Sequence, residues 1–247
     1  MALDPRRTGM MIGAAGARTA DRVEYDEGLR SYMLRVYNYM GSGLALSGVA
    51  ALLTLHTGFV ETLFSPTGIT GLGMVVLWSP LALLLVMSFG FSRLSPVALQ
   101  ALYWTFCAVD GASLSYLFLL YTSESIVRVF FIAAATFGAM SLWGYTTKRD
   151  LTGVGSFLFM GLIGILIAMV VNLFVQSAAL HFVISIIGIL IFVGLTAFET
   201  QRIKTDFIEY RMEGGLATKT AVMGAVGLYI LFINIFQFLL MFLGNRE

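Results

Sequence analysis

The hydrophobic residues of this chain fall into seven long apolar runs, separated by short polar stretches. A helix of about 20 residues, rising about 1.5 Å per residue, crosses the roughly 30 Å hydrocarbon core of a bilayer. Backbone polar groups in lipid must be bonded within their own segment, so such runs form helices. The pattern predicts an all-α polytopic membrane protein with seven transmembrane helices, at about residues 37–55, 71–91, 96–121, 126–145, 151–175, 180–198 and 221–244.

Composition agrees with this class: 58% of residues are hydrophobic, 12% are charged and the mean hydropathy is +0.88. Soluble domains carry about 25% charge. The net charge of +1 gives no reason to expect nucleic acid as a partner. The single cysteine, Cys107, allows no intrachain disulfide. No HExxH or GxSxG motif is present, so we expect neither an enzyme nor a bound cofactor.

The basic residues predict an orientation. With the N-terminus in the cytoplasm, thirteen of the fifteen Lys and Arg residues lie on the inner side, and only Arg128 and Arg246 lie outside. We therefore expect a bacterial inner-membrane protein with a periplasmic C-terminus. The tail, residues 1–36, is expected to be cytoplasmic, disordered at first and helical from about residue 25 to residue 35.

Two acids are candidates for ion handling, because an ionisable group at membrane depth is costly. Glu199 follows the apolar run 180–198, with Arg202 just behind it. It is either a cation or proton site at the cytoplasmic mouth, or a helix-end carboxylate that pairs with Arg202 or is solvated. Asp110 lies within the third span and is either a proton or cation acceptor, or a structural acid bonded to Ser113.

Several sequence motifs, taken in order, resemble those of the Bax-inhibitor family in its bacterial inner-membrane form. The most informative runs are 144–151 (GYTTKRDL), 194–204 (GLTAFETQRIK) and 228–236 (LYILFINIF), and the resemblance covers about residues 30–244. It implies a seven-helix bundle whose last helix is central and wrapped by the other six. For some members it implies a pH-sensitive calcium leak gated by two acids, one at the end of helix six and one in helix seven. It also implies a link to a membrane-bound AAA protease.

Only half of that acid pair carries over to this chain. Glu199 stands where the family usually has Asp, and Leu231 stands where it usually has the second acid. Leucine cannot bind a cation or share a proton, so the two-carboxylate proton switch cannot exist here in its family form. Asn234, one turn further along, could offer a carbonyl oxygen to a cation, or could form an interhelical hydrogen bond.

Two functions remain open at this stage. The first is a cation leak or exchanger, with calcium or protons as cargo and Glu199 as the gating acid. In that hypothesis, deprotonation of Glu199 weakens the contact that closes the cytoplasmic end. The second is a non-transporting regulator that binds other membrane proteins, such as a protease, with residues 1–36 as its docking segment.

Overall fold

A computed structural model describes the backbone of residues 5–65, 68–210 and 214–245, and the side chains of 27–65, 68–207 and 215–245. Apart from one small hairpin, its elements are helical. The helices are α1 Pro5–His56, α2 Phe59–Leu63, α3 Gly71–Gly90, α4 Pro96–Leu114, α5 Leu117–Leu120, α6 Ser123–Thr146, α7 Thr152–Val175, α8 Ala178–Tyr210 and α9 Gly214–Leu243. The hairpin pairs β1 Phe64–Ser65 with β2 Gly68–Ile69 in antiparallel register.

Six helices of the described chain are long and apolar enough to cross a membrane. They are α1, α3, α6, α7, α8 and α9, and each contains one of the predicted spans or nearly all of it. The prediction of an all-α polytopic membrane protein is therefore confirmed. The remaining predicted span, 96–121, corresponds to α4 and α5, which are not among these six helices, and α4 carries Gln100 and Asp110. A seventh crossing at α4 stays a prediction.

The predicted span 96–121 is not one continuous helix, because α4 ends at Leu114. The hydroxyl of Ser113 donates to the carbonyl of Asp110, and the hydroxyl of Ser115 donates to the carbonyl of Ala112, both at 2.7 Å. Serine side chains that bond nearby carbonyls compete with the helical backbone pattern. The chain turns here and continues as the short helix α5.

Two helices extend further than the hydrophobic pattern indicated. Helix α1 begins at Pro5, so the prediction of a disordered start to the tail is wrong from that residue onward. Residues 1–4 lie outside the described part of the chain. Helix α8 continues past Glu199 to Tyr210, so Glu199 lies inside a helix and not at its end. The apolar run marked only the part of each helix that needs an apolar environment.

Helix α9 is the centre of the bundle. Half of its most apolar stretch is buried (50%), against 6% for α7. It packs mainly against α8, α1, α6 and α4, whereas α3 packs mainly on α4 and α7 mainly on α8. The central position of the last helix is thus confirmed, but four helices rather than six form most of its contacts. The remaining face of α9, which points towards α3 and α7, lines cavities.

Two glycines bring helix backbones together near the candidate acids. A Cβ atom at Gly111 in α4 would collide with the backbone of Ser47 in α1. A Cβ atom at Gly144 in α6 would collide with the backbone of Ala197 in α8. Small residues allow this close approach of helices in a membrane. They fix α4 beside α1, next to Asp110, and α6 beside α8, two residues before Glu199.

Candidate functional site

Glu199 is a buried carboxylate between α8 and α9. The residue is 8% exposed, and a Cβ atom at Gly227 of α9 would lie only 2.6 Å from its Oε1. Glycine at position 227 therefore leaves the room that the carboxylate occupies. The guanidinium of Arg202, one turn along α8, lies 3.2 Å from Oε2. The pairing expected from the i,i+3 spacing is present, and the carboxylate is buried rather than solvated.

Arg202 connects this buried acid to a second acid, Asp206, which is more exposed. Its Nε lies 3.9 Å from the carboxylate of Asp206, and its side chain is 54% exposed, against 11% for that of Glu199. The exposed end of the pair is therefore the cation.

The Glu199 cavity is a space of about 280 Å³ lined by residues of α3, α7, α8 and α9. Leu231 lies in its wall together with Glu199, so the position that usually carries the family's second acid does face the first. Apart from Glu199 and Arg202 its walls are apolar or glycine, and they are formed by Leu84, Phe159, Leu162, Phe192, Leu195, Met223, Val226, Gly227, Ile230 and Leu231.

A polar cleft of about 640 Å³ adjoins this cavity, and Arg202 lines both. The cleft carries four cations, Lys148, Arg149, Arg202 and Lys204, and two acids, Asp150 and Asp206. Its positive surplus opposes the approach of another cation.

The loop between α6 and α7 forms one wall of the polar cleft. Gln201 of α8 holds it through two hydrogen bonds of 2.8 Å, one to the carbonyl of Arg149 and one from the backbone N–H of Leu151. The carboxylate of Asp150 accepts hydrogen bonds from the hydroxyl and backbone N–H of Thr152, and these lower the pKa of Asp150. Asp150 therefore stays ionised, and the wall keeps its charges in place.

Asp110 lies in a separate network that joins α4, α9 and α1. The hydroxyl of Tyr229 donates to its carboxylate at 2.6 Å. The hydroxyl of Ser47 lies 2.7 Å from that of Tyr229 and 2.7 Å from the carbonyl of Cys107. The sequence suggested Ser113 as the partner of Asp110, and this was wrong for the carboxylate, since Ser113 bonds only the backbone carbonyl of Asp110.

The Asp110 cavity measures about 310 Å³ and is also lined by Tyr229, Asn234 and Gln237. The side-chain N–H of Asn234 donates to the carbonyl of Ile230 in its own helix at 2.8 Å, so this donor makes no interhelical bond. The structure thus divides the predicted residues into two groups. Glu199, Arg202 and Leu231 share one cavity, and Asp110 and Asn234 share the other.

Sequence reasoning missed Tyr229 and Ser47. Tyr229 is 1% exposed in the middle of an apolar helix. A tyrosine in such a position needs a hydrogen-bond partner for its hydroxyl, and this was the available signal. Ser47 offered no comparable signal, because serine bonds its own helix readily. Among the described residues, no group of three or more His, Cys, Asp or Glu side chains could hold a metal ion.

Comparison with known proteins agrees with this architecture. The pattern that defines the family "Bax1-I: Inhibitor of apoptosis-promoting Bax1" matches residues 29–247. Protein RP147 of Rickettsia prowazekii is 47% identical, over 93% of this chain and 95% of its own. A protein of Caulobacter vibrioides is 46% identical, over 95% and 98%. The inner membrane protein YbhL of Escherichia coli is 40% identical, over 93% and 98%. The chain is a multi-pass membrane protein that belongs to the Bax inhibitor family.

Proposed function

We propose that this protein lets a cation, with calcium as the leading candidate, leak slowly across the bacterial inner membrane. The N-terminus lies in the cytoplasm in this proposal, which places the polar cleft on the cytoplasmic side. One observation carries it: the carboxylate of Glu199 is buried against the central helix, and its ion-pair partner is the half-exposed Arg202. A buried acid with a removable partner is an acceptor for an incoming cation.

Arg202 is the closing element in this mechanism. Its guanidinium stands between the polar cleft and the Glu199 cavity, and it pairs with the ionised form of the carboxylate. The hypothesis that deprotonation weakens the closing contact has the wrong sign for this geometry. Protonation of Glu199 removes the attraction for Arg202, although Asp206 still holds Arg202 nearby. We expect the closed state to be favoured at neutral pH.

The replacement of the second acid by Leu231 keeps the leak weak. Calcium takes six to eight oxygen ligands in proteins, and a single carboxylate supplies at most two. The positive surplus of the polar cleft further reduces the local calcium concentration. Calcium therefore passes Glu199 without being held there.

The test is calcium influx into liposomes between pH 6 and 8, with purified protein. We expect wild-type flux that is higher at pH 6 than at pH 8, because protonation of Glu199 releases Arg202. Glu199→Gln also releases Arg202 but can never carry the acceptor charge, so we expect its flux to be about tenfold lower at both pH values. Glu124→Gln is the matched control, since Glu124 is an exposed acid in the first turn of α6 and should leave the flux unchanged. An equal flux in wild type and Glu199→Gln would refute the proposed role.

The second candidate is a regulator of a membrane-bound protease, and Leu231 is the observation that favours it. A regulator needs no ion path, so it does not require the second acid that Leu231 replaces. If wild type carries no flux and Leu231→Asp gains it, this member has lost the leak, and the regulator hypothesis is favoured. Removing residues 1–26, the part of the tail that precedes the spanning segment Glu27–His56 of α1, would then test the docking role of the tail. Co-purification of the protease should be lost if the tail binds it.

A further inference from the structure

The Glu199 cavity and the Asp110 cavity meet at two side chains. Leu84 of α3 and Ile230 of α9 line both cavities, and no other described residue does. Both side chains are half-buried, as expected for groups with a cavity on two sides. Along α9, Gly227, which faces Glu199, and Asn234, which lines the Asp110 cavity, lie seven residues apart, about 10 Å, with Ile230 between them. The two acid-lined cavities therefore share one apolar pair of lining residues.

We propose that Leu84 and Ile230 form an apolar barrier that closes the path between the two acid-lined cavities. A constriction between hydrophobic side chains gates by excluding water, since an ion cannot cross it without shedding its hydration shell. The barrier is distinct from the Arg202 contact, which controls access to Glu199 from the polar cleft. This inference rests on the proposed cation leak and adds a second, uncharged gate to it.

The position of Leu84 suits a gate that changes shape. Pro80, one turn earlier in α3, lacks the N–H that would bond the carbonyl of Val76, and the hydroxyl of Ser79 donates to that carbonyl at 2.8 Å instead. A local bond thus replaces the helical one, and the segment carrying Leu84 is less tightly coupled to the start of α3. Pro80 itself lines the Asp110 cavity.

Cysteine accessibility tests the barrier without relying on ion flux. The only native thiol is removed by Cys107→Ala, and Asn234→Cys places a reporter in the Asp110 cavity. A membrane-impermeant cationic methanethiosulfonate is added on the side of the polar cleft, using inverted membrane vesicles. With the barrier intact we expect slow labelling. Leu84→Ala or Ile230→Ala should accelerate it about tenfold, because the apolar constriction is opened.

Two controls make the result specific. Leu162→Ala is the same truncation in a residue that lines only the Glu199 cavity, and it should leave labelling of Asn234→Cys unchanged. Leu231→Cys lies on the near side of the barrier and should label quickly with or without Leu84→Ala. Leu84→Met, which keeps the apolar volume, guards against a folding defect and should label at the slow rate.

The outcomes separate the barrier from the leak itself. Unchanged labelling in both Leu84→Ala and Ile230→Ala overturns the barrier, even if calcium influx is present and sensitive to Glu199→Gln. Acceleration by Leu162→Ala equal to that by Leu84→Ala also overturns it. Accelerated labelling without any calcium influx supports the barrier while refuting the cation leak. Accelerated labelling together with increased influx in Leu84→Ala supports both.

Discussion

Replacing Tyr229 with Phe removes one hydroxyl from the network that holds α9 to α4 and α1. That hydroxyl donates to the Asp110 carboxylate at 2.6 Å. Phenylalanine fills the same space, so no cavity forms and the change isolates the hydrogen bond. Ser47 keeps the carbonyl of Cys107 as an acceptor at 2.7 Å, and its own hydroxyl is not left without a partner. The main consequence falls on Asp110.

The expected cost depends on the charge of the acceptor. A hydrogen bond to a charged group contributes about 1.5–3 kcal/mol. A neutral interhelical bond in a membrane protein contributes about 0.6 kcal/mol on average. Because Asp110 is an acid, we expect Tyr229→Phe to lower the free energy of unfolding by about 2 kcal/mol, roughly a thirtyfold change in the folded-to-unfolded ratio.

Tyr103→Phe is the matched control for this measurement. Tyr103 is 0% exposed and Tyr229 is 1% exposed, but the hydroxyl of Tyr103 donates to a neutral acceptor, the backbone carbonyl of Tyr39, at 2.6 Å. Both variants would be unfolded by titrating SDS into mixed micelles and followed by circular dichroism. We expect the cost of Tyr229→Phe to exceed that of Tyr103→Phe by about 1 kcal/mol.

Equal costs for the two variants would refute the charged acceptor. A double-mutant cycle gives a second check, since in the Asp110→Asn background Tyr229 donates to a neutral amide oxygen. The cost of Tyr229→Phe should then fall to that of a neutral bond. A cost that is the same in both backgrounds would mean that the charge of Asp110 adds nothing to the bond from Tyr229.

Two further predictions concern contacts near the Glu199 end of the bundle. Gly144→Ala places a Cβ against the α8 backbone and should cost about 1–3 kcal/mol in detergent thermal unfolding. Gly138→Ala in the same helix meets nothing within 4 Å and should be neutral or slightly stabilising, so equal melting temperatures would contradict the close contact. Gln201→Ala removes both bonds to the α6–α7 loop, at about 1 kcal/mol each, and should speed tryptic cleavage after Arg149 by about thirtyfold. Thr205→Ala, whose hydroxyl bonds only the Gln201 carbonyl, should cleave at the wild-type rate.

Hydrophobic patterning located most of the helices, because a membrane requires long uninterrupted apolar runs. It did so least well where a helix leaves the apolar environment. Nothing in the apolar run 180–198 indicates that α8 continues to Tyr210, since the polar residues beyond Glu199 satisfy a helix in water equally well. The break at Leu114 was missed for a related reason: serine hydroxyls end α4 within an otherwise apolar stretch.

In the candidate site, the sequence identified the unusual residues and their local pairs but not the contacts between distant parts of the chain. Glu199 and Asp110 stood out because acids are rare in membrane spans. The pairing of Glu199 with Arg202 followed from their i,i+3 spacing. The partner of Asp110 is 119 residues away in Tyr229, and no local spacing rule reaches that far. That Leu84 and Ile230 line both cavities depends on where α3 and α9 lie relative to each other, which single-sequence patterns do not encode.

Because α8 continues beyond Glu199, a tilt of this helix couples its far end to the buried acid. Eleven residues separate Glu199 from Tyr210, so the helix projects about 16 Å past the acid as one rod. A tilt of about 10° around Glu199 moves the far end by roughly 3 Å over that length. Conversely, a molecule that pulls on the projecting end transmits its force along the rod to the contact between Glu199 and Gly227. A force on the far end of α8 thus has a mechanical route to a carboxylate that it never touches.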